Sequence, residues 1–412
     1  MSWRTFNTTM VPAFVSFQMF GFFPVTGILG SKTSIDLRFR WWHPKTLFSV
    51  LIALLGMLMC YVEYRRVDRT GVNAGNLIGV VFYADTVVCM ALMLKLARKW
   101  RSFALMWDQY ELSNSNDGNF PRIKIITAAR WFTIIFVVVG LIEHFLSKIN
   151  GYVSYYEEAA YCNWSVENFP KYFASRRFGF LFKHIRYNLF LLLFFEYCNV
   201  ALTLTWTGMD LTIVLVSFVI SCNFHWINSK LSPFKDGFSI AREGFWIEIR
   251  EQYVQVCCLV NKASELLAPM IIHSCATNIY LICYAFLTFT WAETGTLTLV
   301  NHWFSLFFMI GKTVLMFYSA SMVNETSKYP LKTCTAVPNI GWCIELDRFV
   351  NQLRTHRVAL SAMGFFDLTK RTMLALAGTV ITYELVMLNF AKDTAHVGNV
   401  IPCSRLAFSR DD

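Results

Sequence analysis

The chain has 412 residues, of which 55% are hydrophobic and only 16% are charged. A soluble domain usually carries about 25% charged residues, and the recurring apolar runs of about 20 residues predict an all-α, polytopic membrane protein. The formal net charge of +10 would suit a nucleic-acid partner, but the basic residues lie between the apolar runs, which is typical of membrane topology rather than of a phosphate-binding surface.

The N-terminal segment, residues 1–46, is apolar but contains no small-residue cleavage site of the kind that ends a signal peptide. Pro24 and several glycines interrupt its second half. We therefore expect an uncleaved cytoplasmic pre-helix that packs against the protein or re-enters the membrane.

Six later runs have the length and apolar character of membrane-spanning helices. In chain order they are Leu47–Val62, Asn76–Leu96, Ile126–Leu146, Ile271–Trp291, Trp303–Val323 and Thr372–Phe390. Several connecting segments mix charged and apolar residues at helical spacing, which predicts amphipathic extensions of the spans into the cytoplasm.

A longer apolar stretch, Tyr187–Ile227, allows two interpretations. It is either two spans divided at the sequence TGMD or one span whose outer end projects beyond the bilayer. With one span and a cytoplasmic N-terminus, most Lys and Arg residues fall on the cytoplasmic side, whereas two spans would place the majority outside. The positive-inside rule favours one span, and with it seven transmembrane helices, an intracellular N-terminus and an extracellular C-terminus.

This topology divides the chain into five parts. Residues 1–46 form the pre-helix, 47–323 hold helices 1–6 with their cytoplasmic extensions, 324–371 form a cytoplasmic anchor region, 372–390 form helix 7, and 391–412 form an extracellular tail. The sequon that begins at Asn163 falls in the second outer loop, which makes it a glycosylation candidate.

Cysteine usage gives no sign of a metal centre. The 12 cysteines include no CxxC pair and no His/Cys cluster of metal-ligand spacing, and most lie in apolar runs, as buried free cysteines do. Only Cys162 and Cys403 fall in segments predicted to be extracellular, where a disulfide would be able to form. The sequence therefore predicts neither a metal ligand nor a cofactor.

Helix 7 carries many polar groups for a membrane span. On a helical wheel, one stripe contains small or mildly polar residues: Ala375, Gly378, Thr379, Thr382, Val386 and Asn389. One explanation is that small residues let membrane helices approach each other closely. The other is a hydrated pore wall, formed when several copies of the helix meet around an axis.

Two charged residues within predicted spans need partners. Lys312 is the only basic residue deep in a span outside helix 7, and Glu384 lies at a similar depth in helix 7, facing away from Thr382. Each is costly in lipid unless it is paired. We therefore predict an ion pair between Lys312 and Glu384.

The end of helix 7 resembles a known signature. The sequence TYELVMLNF is similar to the C-terminal motif of insect gustatory receptors, which runs from Thr-Tyr through hydrophobic positions to Gln-Phe, and Glu384 resembles the sugar-sensing branch. Asn389 stands where that motif has Gln. The resemblance continues in order along the chain, in FQMFGFFPVTGI, EHFLS, TWTGMDLTIVLVS, NIYLIC and VALSAMGFFDLTKR.

Resemblance to this family implies a homotetrameric or heterotetrameric cation channel of the plasma membrane, opened directly by an extracellular ligand. In the sugar-sensing branch that ligand is a sugar, which the bundle of helices 1–6 would bind. Helix 7 of each subunit would line the pore for the permeant cations. Carried over to this chain, Thr382 and Val386 lie in the pore wall, and Asn389 and Phe390 are the gate candidates.

A sugar site needs hydrogen-bonding groups for hydroxyls and aromatic rings for C–H faces. Residues of both kinds lie near predicted outer helix ends: Glu143, His144, Trp206, Asp210, Tyr284 and Trp291. Asn301, His302 and Trp303, which open the sixth helix, are further candidates. Alternatives stay open, because Trp291 and Trp303 also suit an interfacial belt and His144 also suits a structural role.

Other functions are compatible with parts of the pattern. A membrane transporter for a small polar solute is one alternative, because Glu384, Lys312 and Asp85 would be able to act as a relay; Asp85 alone suits either a pocket or helix pairing. A taste receptor channel for a non-sugar tastant is another. An enzyme is disfavoured, because the eight His residues are scattered without a convergent cluster.

Overall fold

The structure, a computed structural model, consists almost entirely of α-helices. It describes residues 5–29, 34–72, 74–114, 120–161, 169–182, 185–234, 240–287 and 295–391, with side chains described for all of these except 70, 74–76, 180–181 and 383–391. The helices of this part are α1 (Thr5–Met19), α2 (Pro44–Thr70), α3 (Ala74–Ser113), α4 (Arg122–Tyr161), α5 (Phe169–Arg177), α6 (Gly179–Phe182), α7 (Leu189–Lys230), α8 (Glu243–Leu287), α9 (Thr296–Cys334), α10 (Ile344–Thr355) and α11 (Lys370–Ala391).

Six of these helices, α2, α3, α4, α7, α8 and α9, are long and apolar enough to cross a membrane. They overlap the first six predicted spans in order. α11 occupies the position of the predicted seventh span, but it is not among the six, and its side chains beyond 382 lie outside the description. The count of seven and the orientation therefore stay predictions.

α7 is the central helix of the bundle. It is continuous over 42 residues and contacts α1, α2, α3, α4, α8 and α9. In its most apolar stretch 83% of the residues are buried, compared with 28% in α2 and in α3. The prediction of a single long helix, rather than two spans divided at TGMD, is therefore confirmed.

Two threonine hydroxyls in the middle of α7 are satisfied within the helix. Thr205 and Thr212 donate to the carbonyl oxygens of Ala201 and Gly208, four residues earlier, at 2.8 Å each. Such bonds let a buried helix carry threonines without leaving unpaired polar groups in an apolar interior. The segment TWTGMD thus continues the helix despite its polar composition.

α1 packs against the bundle, in contact with α3, α4 and α7. The first N–H groups of a helix have no partner within it, and here those of Thr5 and Phe6 donate to the Glu111 carboxylate of α3 at 2.9 and 2.8 Å. A negative group at this end also favours the helix dipole. Of the two predicted behaviours of the N-terminal segment, packing is the one observed.

Gly208 on α7 makes room for the chain that follows α1. A Cβ atom there would lie 2.6 Å from Cε2 of Phe22 and 3.0 Å from Cε1 of Phe17. Gly208→Val should therefore displace both rings, at an overpacking cost of about 1–3 kcal/mol, measured as a lower melting temperature in detergent. Gly311→Val on α9 is the matched control, because no atom lies within 4 Å of an added Cβ there. Equal melting of the two variants would contradict this packing.

The helix α10 contacts both α8 and α9. Tyr253 donates to the carbonyl oxygen of Ser327 at 3.1 Å, which ties α8 to α9. Glu345 of α10 pairs with Arg250 of α8 at 3.0 Å. Although burial opposes ionisation, hydrogen bonds and charges from Arg348 and Arg250 hold the pKa of the Glu345 carboxyl below its ordinary value. These contacts join α10 to α8 and α8 to α9, and the assignment of residues 324–371 as a cytoplasmic anchor region stays a prediction.

Candidate functional site

A buried ion pair lies at the centre of the bundle. Nζ of Lys312 on α9 lies 2.7 Å from Oδ2 of Asp210 on α7, and both side chains are 1% exposed. The same Nζ donates to Oδ1 of Asn278 on α8 at 2.9 Å. Three of the central helices are therefore joined through one ammonium group.

The carboxylate of Asp210 is fully partnered. Ser274 donates to its Oδ1, and Asn278 donates to its Oδ2 at 3.3 Å. The ring of Trp206, one turn earlier on α7, lies 4.2 Å from Nζ of Lys312, a cation–π distance. Two buried charges are tolerated in such a place only when hydrogen bonds occupy both of them, and that condition is met here.

The predicted partner of Lys312 was wrong. Its ammonium group binds Asp210 and Asn278 inside the bundle, whereas Glu384 belongs to α11, which packs against α8 and α9, and its side chain lies outside the description. Depth along the membrane, on which the pairing with Glu384 rested, does not report which face of a helix a side chain occupies. Asp210 was one of several carboxylates within predicted spans, and its pairing with Lys312 required knowledge of the α7–α9 contact.

The outer-end candidate Glu143 lies where α4 and α9 run side by side. Ser305 donates to its Oε1 at 2.7 Å, and two turns further along the pair Thr298 donates to Oδ1 of Asn150 at 2.9 Å. At Gly140, one turn before Glu143, an added Cβ would contact α7 and α9 side chains at 3.5 Å. The three helices α4, α7 and α9 therefore converge about one helical turn from the Lys312–Asp210 pair.

Several polar atoms near this convergence have no hydrogen-bond partner among the described residues. They are Nε2 of the buried His144, Nε1 of Trp206 and Oδ1 of Asn301. A buried polar atom without a partner is uncommon and costs free energy, unless water or a ligand completes it. Among the described residues, α4, α7 and α9 therefore each carry a buried polar atom that could still form a hydrogen bond.

The remaining predicted ligand residues belong to α8 and to the segment that follows it. Tyr284 on α8 is partly buried and stacks on Tyr280, with ring centroids 6.4 Å apart. Trp291 lies outside the described residues, as do Asn163, Cys162 and Cys403. Asp85 lies against α8, where Thr277 donates to it at 2.6 Å, which supports the helix-pairing interpretation of that residue.

A second polar cluster joins α3, α4, α5 and α7, and the sequence did not predict it. Glu196 of α7 binds Lys148 of α4 and, at 3.1 Å, Arg177 at the end of α5. Asn199 continues the cluster by donating to the hydroxyl of Tyr83 on α3 at 3.1 Å. Its members come from four distant parts of the chain, so local sequence patterns gave no signal for it.

The predicted stripe of helix 7 lies on an exposed face of α11. Ala375, Gly378, Thr379 and Thr382 are all exposed in the single chain. The two hydroxyls bond to carbonyl oxygens of their own helix, Thr379 to Ala375 at 3.0 Å and Thr382 to Gly378 at 2.9 Å. The stripe therefore does not serve to pack α11 against its own bundle, which is achieved by other residues such as Met373 and Leu376. Val386, Asn389 and Phe390 lie on the same helix, with side chains outside the description.

In the described part of the chain, six apolar helices, one of which is the buried central helix α7, indicate a multi-pass membrane protein, and its fold is that of an insect olfactory receptor. The structure of the insect olfactory receptor OR5 from Machilis hrabei in complex with eugenol superimposes with a TM-score of 0.62, at 12% sequence identity, over 93% of this chain and 97% of that one. At this identity the likeness shows the fold.

The chain belongs to the trehalose receptor family, whose model matches residues 1–403. It is 30% identical over 380 residues to the gustatory receptor for sugar taste 64f of Drosophila melanogaster, covering 91% of this chain and 79% of that protein. It is 26% identical over 398 residues to the gustatory receptor for sugar taste 64a of the same species, covering 95% and 86%. The resemblance to the sugar-sensing branch of the insect gustatory receptors is thereby confirmed.

Proposed function

We propose that this protein is a sugar receptor of the plasma membrane that acts as a ligand-gated, non-selective cation channel. The observation that carries the proposal is the exposed face of α11. Its small and polar residues are exposed in the single chain and are not among those packed against the core, and a face of this kind is costly against lipid but suits water or a second copy. Family membership supplies the class of ligand.

The pore in this proposal is formed by four copies of α11 around one axis, in a homotetramer or in a heterotetramer with related subunits. Thr382 and Val386 line its wall, and Asn389 and Phe390 form its gate. No acidic residue stands beside Asn389 in the sequence, so we expect weak discrimination among cations. The hydroxyls of Thr379 and Thr382 already donate to carbonyl oxygens of their own helix. In the pore these two residues would therefore act mainly as small side chains that leave room for water and ions.

The sugar site in this proposal lies where α4, α7 and α9 converge, above the buried ion pair. Glu143 supplies an acceptor for sugar hydroxyls, His144 and Trp206 supply hydrogen-bonding atoms that the described residues leave unused, and Trp206 also supplies a ring for stacking. Tyr284 and Trp291 complete the site from α8 and from the segment after it. Asp210 acts through Lys312, because its own oxygens are occupied.

Such a site would influence the pore through the central ion pair. Trp206 touches both a candidate ligand position and the Lys312 ammonium group, and Lys312 lies on α9, one of the two helices against which α11 packs. A sugar that moves the indole changes the surroundings of Lys312 and hence the position of α9. This route gives the ligand different contacts in closed and open states, as any gating mechanism requires.

The proposal is tested by expressing the chain alone and recording currents across a panel of monosaccharides and disaccharides. We expect at least one sugar to evoke unitary currents in excised patches. Responses only to a compound that is not a sugar would support a taste receptor channel for another tastant. Slow stoichiometric uptake without unitary currents would identify a transporter, and silence to all sugars with the protein at the surface would contradict a homomeric sugar receptor.

Glu143→Gln tests the position of the sugar site. The substitution keeps the size of the side chain and removes the charge, so the hydrogen bond to a sugar hydroxyl weakens by about 1.5 kcal/mol. The half-maximal sugar concentration should then rise about tenfold, with the maximal current preserved. Glu157→Gln, on the exposed surface of the same helix, is the control. An unchanged dose–response curve for Glu143→Gln would remove this residue from the site.

A further inference from the structure

Three side chains of metal-ligand type meet between α3 and α8. Asp85 and Cys89 are four residues apart and share one face of α3, and His273 approaches them from α8. Their ligand atoms all lie within 4.8 Å of one another. Nε2 of His273 is 2.7 Å from Oδ1 of Asp85, and Sγ of Cys89 is 4.0 Å from Oδ2 of the same carboxylate.

We propose that Asp85, Cys89 and His273 form a binding site for Zn²⁺. A carboxylate, an imidazole and a thiolate are the three ligand types that zinc prefers, and their combination disfavours Mg²⁺ and Ca²⁺, which select oxygen atoms. Three protein ligands leave a fourth tetrahedral position for water or for the hydroxyl of Thr277, which already lies 2.6 Å from Oδ1 of Asp85.

The spacing of the ligand atoms suits this ion after small side-chain movements. In a tetrahedral site with bonds of about 2.0–2.3 Å, neighbouring ligand atoms lie roughly 3.3–3.8 Å apart. Here the carboxylate and imidazole atoms are slightly closer than this and the sulfur slightly farther. We expect rotation of the three side chains to bring these atoms to the bonded geometry.

The three ligand side chains differ in exposure, which indicates the side from which an ion would enter the site. The His273 side chain is 19% exposed and that of Asp85 only 6%, while Cys89 is 1% exposed. A Zn²⁺ ion would meet the imidazole first and the thiol last, and the thiol proton would leave as the Zn–S bond forms. The bound ion would also balance the charge of a carboxylate placed among apolar helices.

The site would join two helices next to the central ion pair. His273 and Thr277 alternate along α8 with Ser274 and Asn278, which hold Asp210. An ion bonded to α3 and α8 would therefore fix the part of α8 that supports the Lys312–Asp210 contact. Zinc binding should for this reason raise the melting temperature of the folded protein.

The test uses the purified full-length protein in detergent, with Co²⁺ as a spectroscopic substitute for Zn²⁺. We expect a thiolate-to-cobalt charge-transfer band in the near ultraviolet, displaced by Zn²⁺, together with a rise in melting temperature on addition of Zn²⁺ alone. Both signals should be lost in Cys89→Ser and in His273→Ala. The double variant Cys258→Ser/His356→Ala removes an exposed thiol and an exposed imidazole elsewhere and should keep both.

The outcome is decisive in either direction. Absence of the charge-transfer band in the unsubstituted protein overturns the proposal, as does a band that persists in Cys89→Ser. Loss of the band in the control double variant would place the metal elsewhere and overturn it as well. None of these readings depends on channel activity, so they leave the proposed function to its own test.

Discussion

Lys312→Met should destabilise the protein by about 3–5 kcal/mol, because it leaves the Asp210 carboxylate charged, buried and without its cation. Ser274 and Asn278 still donate to that carboxylate, but two neutral donors do not replace an ammonium group in an apolar interior. The effect is measured as a fall in melting temperature in detergent and as loss of protein from the cell surface.

The double variant Lys312→Met/Asp210→Leu distinguishes the loss of one charge from the loss of the whole ion pair. Replacement of a whole buried ion pair by apolar side chains of similar volume is often neutral or stabilising. We therefore expect the double variant to recover most of the melting temperature that Lys312→Met loses. Lys262→Met breaks the exposed pair with Glu265 and, as a control, should change stability by less than about 1 kcal/mol.

Two results would contradict this description of the core. One is a Lys312→Met protein with unchanged melting temperature and surface expression. The other is a double variant that melts below Lys312→Met, which would mean that the two charges do not compensate each other. A stable double variant that no longer responds to sugar would show that the pair serves gating in addition to folding.

A cysteine placed on the exposed face of α11 should make the channel sensitive to water-soluble thiol reagents. If this face lines a hydrated pore, a charged reagent will reach Thr379→Cys and Thr382→Cys and abolish most of the sugar-evoked current. Met373→Cys and Leu376→Cys lie on the same helix but pack against the core, so they should react slowly and keep their current.

The unsubstituted chain sets the baseline of that experiment, because it already carries an exposed thiol at Cys258. Faster modification in the presence of sugar would place the substituted position beyond the gate. Equal modification of both faces of α11 would mean that the helix is surrounded by water on all sides, and protection of the stripe under all conditions would remove it from the pore.

Much of the fold was predictable because the membrane imposes a simple rule on the sequence. Backbone groups in lipid must bond within helices, so apolar runs of sufficient length mark the spans directly. The single helix at α7 was harder, since its composition allows a break at TGMD. The distribution of Lys and Arg decided it correctly, because charge bias acts on the whole topology rather than on one segment.

The functional contacts were less accessible to sequence reasoning. Lys312 was recognised as a charge in need of a partner, and Asp210 as a carboxylate out of place, yet they were not connected with each other. The contact depends on the rotation of α7 and α9 about their own axes, which hydropathy does not encode. The group of Asp85, Cys89 and His273 was invisible for a similar reason, because its third member is far along the chain from the other two.

The most direct test of the central claim is single-particle imaging of the purified receptor with and without an activating sugar. We expect particles of four subunits, with the Ala375–Thr382 face of each α11 directed towards a common axis and a wider opening at Asn389 and Phe390 in the sugar-bound state. Monomeric particles, or a tetramer in which that face is directed towards lipid, would contradict it.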